Sequence, residues 1–162
     1  MSTVSQNGKL ASMVWSDAEM EGVGWHDSHV RSLLLDANSV QLLFDIDFIC
    51  EWIAPQEKHG AFSFYIAPAT LVFPYAQEIQ VSLRTVAPMS IFGIRKENPT
   101  PTPRGNYSVW DWTIDGPHGQ IRLRSTGFAL YFRREPVLTR SQLLTPQERG
   151  GIAFDIPGGY EE

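Results

Sequence analysis

The 162-residue chain has the length of one domain with a real hydrophobic core, and its 43% hydrophobic and 19% charged residues place it among ordinary globular proteins, excluding disordered and membrane classes. Its formal net charge is −5, and the acidity is concentrated in residues 1–60, where three Lys or Arg stand against nine Asp or Glu. That balance argues against extended nucleic-acid binding, which needs cations to neutralise phosphates.

Residues 1–14 carry no secretory pattern and are expected to be a flexible lead-in, before a single β-rich domain over 15–156 and a flexible tail over 157–162. Within the lead-in to the domain, Ser16-Asp17-Ala18-Glu19 has the spacing of a capping box and permits one helical turn. "HVRSLLLD" and "VQLLFDIDFICEW" then read as an antiparallel hairpin around the turn-like "DANSV". A period of two places Leu42, Phe44, Ile46, Phe48, Cys50 and Trp52 on one face and Leu43, Asp45, Asp47, Ile49 and Glu51 on the other.

"AFSFYIAPATLVF" predicts strands on either side of Pro68, because proline removes a ladder donor. "EIQVSLRTV" alternates as a strand, and "SIFGIRKE" reads as a shorter one. "ENPTPTPRGN" is excluded from any ladder by its prolines and reads as a solvated loop without a P-x-x-P docking motif. "YSVWDWTIDGPHGQIRLRSTGFALYF" is the strongest hairpin: placing Ile114 opposite Ile121 sets Trp112 against Leu123 and Asp111 against Arg124. In "TPQERGG", Thr145 caps, Pro146 opens, Glu148 completes a capping box and Gly150 ends a short helix. The fold class is therefore mainly β: a single-domain antiparallel sandwich or a curved, partly closed barrel with one or two short helices.

The densest chemistry lies in "GWHDSHVR", residues 24–31. On a strand, His26 and His29 point to opposite faces, which separates them as metal ligands. The register that sets Val30 beside Ile46 sets His29 opposite Asp47 and Arg31 opposite Asp45, gathering Asp27, His29, Arg31, Asp45 and Asp47 on one side of a sheet. The first expectation is a solvated face of cross-strand charge pairs. The sharper one makes His29 a general base oriented by Asp47, with Asp27 as a further catalytic candidate and the carboxylates around a cation. Arg31 opposes that cation, and no metal or cofactor is assigned. Arg31, Asp45 and Asp47 also form a candidate binding surface for another protein. His26, beside Trp25, is expected to be partly buried and hydrogen-bonded.

Arg122, Arg124, Arg133, Arg134 and Arg140 form the one basic group, suited to an acidic partner or a phosphate. Trp110 and Trp112 belong to the core. Cys50, the lone cysteine, reads as a small buried hydrophobe; with no disulfide available, a reducing, cytoplasmic setting is expected.

The blocks "WHDSHV", "LLFDIDFICEW", "APATLVF", "WDWTID" and "ERGGIAF" together resemble an uncharacterised family of small bacterial proteins, across residues 25–154. The resemblance implies a bacterial cytosolic domain and supplies no reaction, ligand or catalytic residue. Three functions follow as expectations. The first is a non-enzymatic interaction domain, of the immunity type that neutralises a partner through an acidic face. The second is a small enzyme or metal-binding protein using His29, Asp27 and Asp47. The third is a carrier holding a small-molecule ligand in an aromatic cavity.

Overall fold

The computed structural model describes residues 3–157. The strands are β1 (Val14–Ser16), β2 (His29–Asp36), β3 (Gln41–Ile53), β4 (Ser63–Pro74), β5 (Gln77–Leu83), β6 (Met89–Ser90), β7 (Gly93–Pro101), β8 (Ser108–Gly116), β9 (Gly119–Ser125), β10 (Ala129–Phe132) and β11 (Val137–Thr139). A short helix, α1 (Pro146–Arg149), follows them. The strands form two separate antiparallel sheets rather than a barrel: a seven-stranded sheet in the order β1-β10-β4-β3-β2-β6 with β11 also on β4, and a four-stranded sheet in the order β5-β9-β8-β7. The protein is an antiparallel β-sandwich.

Side-chain alternation explains how the sheets meet. Leu42, Phe44, Ile46 and Phe48 of β3 and Ala67, Ala69, Leu71 and Phe73 of β4 point inward to Trp112, Ile114, Ile121 and Leu123 of the small sheet. Trp25, Phe48, Phe73, Trp112 and Phe128 pack edge to face with ring centroids 5.2–5.6 Å apart along the chain of contacts. These core rings thus touch one another, and Trp25, Trp112 and Phe128 also line a pocket of about 200 Å³. The β8–β9 hairpin adopts the predicted register, with Ile114 on Ile121, Trp112 on Leu123 and Asp111 on Arg124.

Two proline expectations need correction. β4 runs unbroken through Pro68, which pairs with Asp47 of β3. On its other side, β10 ends opposite Ala69 and β11 begins opposite Ile66, so the missing donor falls where the neighbouring chain changes strands. The break was in the neighbour, not in β4. Likewise the proline-rich run is not wholly a loop, because Thr100 and Pro101 pair with Val109 and Ser108 after a bulge. β7 is an edge strand, where a missing N–H toward solvent costs no ladder bond.

The lead-in over residues 3–12 is packed against the large sheet: Thr3 and Val4 are buried, Val4 bridges Leu10, and the Thr3 hydroxyl donates to the Cys50 carbonyl at 3.1 Å. Ser16 and Glu19 form the predicted turn, with the Glu19 carboxylate accepting from the Ser16 N–H at 2.8 Å. The tail proposed over 157–162 lies outside the described residues except for Pro157.

Candidate functional site

The other residues of β3 face away from the small sheet, and there the predicted carboxylates lie. Asp45 and Asp47 are fully buried, which corrects the expectation of a solvated face. The chain from Val137 to Asp155 folds over them as an arm, held by α1 with its Thr145–Glu148 capping box and left-handed Gly150 as predicted. The last residue of α1, Arg149, inserts its guanidinium between the two aspartates. Its Nε donates to Asp47 at 3.0 Å, and Nη1 and Nη2 donate to Asp45 at 2.8 and 2.7 Å.

Arg133 donates to the same Asp45 oxygen at 2.6 Å, and Arg31 to Asp47 at 3.2 Å. The Leu144 N–H donates to Asp47 at 3.1 Å and the Ala153 N–H to Asp45 at 3.3 Å. Thr70 completes the assembly, donating to the Asp155 carbonyl at 2.6 Å and accepting from Arg133 at 3.0 Å. Burial alone would lower the Arg149 pKa, but hydrogen bonds to Asp45 and the charges of both aspartates overcome this and raise it. Both oxygens of both carboxylates are taken. Neither is left to accept a substrate proton or ligate an ion, and three guanidinia repel a cation there.

The predicted register holds for His29 on Asp47 and Val30 on Ile46, then a bulge at Arg31 sets Ser32, not Arg31, opposite Asp45. The Ser28 hydroxyl is buried and accepts from the Ile49 N–H at 3.0 Å, a structural role. Asp27, in the left-handed region at φ 64°, turns outward: its Oδ2 accepts from Gln142 Nε2 at 3.1 Å and lies 3.1 Å from His26 Nδ1. Asp27 and Asp47 are therefore engaged by different partners, although the charges of both act on His29. Among the described residues, no group of three or more His, Cys, Asp or Glu is arranged to hold a metal.

His29 is half-buried beside an open hollow of about 480 Å³ lined by Phe62, Phe64, Arg140, Gln142 and Leu143. Its Nδ1 is buried without a hydrogen-bond partner among the described residues. Burial lowers its pKa against the pull of Asp47 and Asp27, favouring the neutral imidazole.

A second bulge, at Cys50, reverses the alternation of β3 after Ile49. Trp52 is thereby carried off the inner face predicted for it and packs on Phe64 of the outer face, with ring centroids 4.9 Å apart. It stays 40% exposed. Phe62 lies 5.7 Å from it on one side and His26 6.0 Å on the other; Phe92 stacks on His26 at 6.2 Å. His26 is thus an exposed ring, not the partly buried histidine expected. Phe92, His26, Trp52 and Phe62 form a continuous aromatic ridge ending at the His29 hollow.

The residues that complete both features escaped the sequence reading. Arg149 was seen only as part of a helix, and Trp52, Phe62 and Phe92 were not singled out as surface rings. The basic group does not form one patch: Arg133 is buried on Asp45, Arg124 pairs with Asp111 at 3.1 Å, and Arg134 donates to the carbonyls of Gln147 and Glu148. No family model, curated protein or solved structure matches the chain.

Proposed function

We propose that this protein is a non-enzymatic interaction domain whose binding surface is the ridge Phe92–His26–Trp52–Phe62 and the adjoining His29 hollow. The observation that carries this reading is that four neighbouring rings stand out of a well-packed sandwich at 40–63% exposure, in a molecule whose other large rings are mostly interior. Trp at the centre of such a patch, with Arg140 at its margin, is the composition of an interface hot spot. The rival catalytic reading of Asp27, His29 and Asp47 lacks support, because Asp47 is saturated and Asp27 points elsewhere.

The partner fits a basic protein. Three guanidinia paired with two buried carboxylates leave that cluster at +1, so the remainder of the chain carries −6. Long-range attraction to a basic partner, followed by insertion of aromatic rings, matches an immunity-type inhibitor that occludes a basic toxin or enzyme. The single cysteine, with its thiol shielded, agrees with a reducing cytoplasm as the site of action. The bacterial resemblance noted above fits that setting.

Capture of a partner from an extract of the native host, with the purified protein as bait, tests this reading. Trp52→Ala and Phe92→Ala are expected to abolish capture, Tyr107→Ala, on an exposed ring elsewhere, to leave it unchanged, and added salt to weaken it. Capture that survives both ridge substitutions overturns the assignment.

A further inference from the structure

The sandwich has strand edges of different character. β1 and β6 are three and two residues long, and β7 is guarded by Pro99, Pro101, a bulge and the charged Arg95 and Lys96. β5 is bulged and presents Gln77, Glu78, Gln80 and Ser82. Such features keep an edge from pairing with another chain.

β2 differs. β6 covers only His29 and Val30, so among the described residues no strand lies beside its outer edge from Ser32 to Asp36. That stretch, Ser-Leu-Leu-Leu-Asp, contains no lysine, proline or bulge, and Leu34 and Leu35 are 41% and 60% exposed. Beside it the two sheets gape. Leu33, Leu83, Val86, Met89 and Ile121 line an open slot of about 470 Å³, with Leu83 and Val86 exposed. This corner combines an unguarded edge with uncovered inward-facing apolar side chains.

We infer that the occupant is a second copy of this chain, pairing β2 with β2 antiparallel about a two-fold axis at Leu34. The segment is self-complementary in that register. Leu34 meets Leu34, Leu33 meets Leu35, Ser32 meets Asp36 and Arg31 meets Ala37, so apolar faces apolar and no like charges are opposed. Because opposite residues share a face, Leu35 of the second copy lies alongside Leu33, over the slot and toward Leu83 and Val86. One pairing thereby closes the open edge and covers the slot, and it joins two seven-stranded sheets into one continuous sheet. The aromatic ridge is not part of the pairing segment, so the dimer and the ridge interaction are independent.

Sedimentation equilibrium of the wild-type protein is expected to give twice the monomer mass at high micromolar concentration, shifting to the monomer on dilution. Leu34→Lys combined with Leu35→Lys is expected to halve that mass; both side chains are exposed, and circular dichroism verifies that the fold is kept. Hydrogen exchange on the wild type needs no variant: the amides of residues 32–36 are expected to exchange more slowly as concentration rises, while those of β7 do not change. A wild-type monomer at every concentration overturns the proposal. So does a dimer that survives the double substitution, or protection that rises with concentration at β7 and not at residues 32–36.

Discussion

The outer face of the large sheet is handled in two ways along its length. Under the C-terminal arm, polar groups are buried with a hydrogen-bond partner on every side-chain oxygen, as at Asp45, Asp47 and Thr70. Toward Trp52 and Phe62 the face is open, and its groups are rings that pack on one another while staying exposed, next to a histidine whose buried Nδ1 has no hydrogen-bond partner among the described residues. The stretch from His26 to Arg31 supplies both regions. The difference teaches that a cluster of charged residues in a sequence is a poor guide to a binding site when its hydrogen-bonding groups are all engaged internally; here the engaged charges hold the fold, and the exposed rings are the surface proposed for binding.

The sharpest way to break this comparison is at Arg149. Arg149→Met is expected to cost about 3–5 kcal/mol, because it leaves two buried carboxylates short of their main partner. Urea denaturation reads this as a lower midpoint at constant slope. Arg149→Lys is expected to rescue little, since an ammonium cannot reproduce the three-point guanidinium contact. A change within a few tenths of a kcal/mol would show that the arm is not held by its ion cluster.

His29, at the border of the two regions, gives a smaller effect with a defined sign. Burial holds its folded pKa below the ordinary histidine value of 6.5, so the unfolded chain binds a proton more readily. Its contribution is full above about pH 6.5 and is lost as pH falls through the lowered folded value. The unfolding free energy measured across that range should therefore decline on acidification, and His29→Gln should flatten that part of the slope. An unchanged slope would place His29 wholly in the open region.

The smallest effect belongs to Cys50, on the bulge that divides the two regions. Burial pushes its thiol up to about 12, so native protein is expected to react slowly with a disulfide reagent at mildly alkaline pH, and unfolded protein fast. Equal rates in both states would mean that the bulge opens readily.

Legibility in the sequence followed the range of the interaction. The β8–β9 register and the capping box of α1 were readable because their determinants lie within a few residues of one another. The start of the β2–β3 register was readable from His29 and Val30. The two bulges were not, since an extra residue leaves the alternation of Leu42 to Cys50 intact on one side and reverses it beyond. The cover over Asp45 was not readable either: its partner Arg149 is 104 positions away, and nothing local distinguishes that arginine from a surface one. The proposed surface was thus only partly visible: His29 was singled out, and the rings of Trp52, Phe62 and Phe92 near it were not.

The sequence distance between Asp45 and Arg149 also bears on how the chain is born. A ribosome delivers β2, β3 and β4 long before α1, so during elongation two carboxylates occupy the middle of a nascent sheet with Arg31 as their counter-charge until Arg133 and then Arg149 emerge. Vectorial synthesis would therefore leave that sheet hydrated and unlocked until the arm emerges, and the commitment to the native state would come as a late, concerted closure.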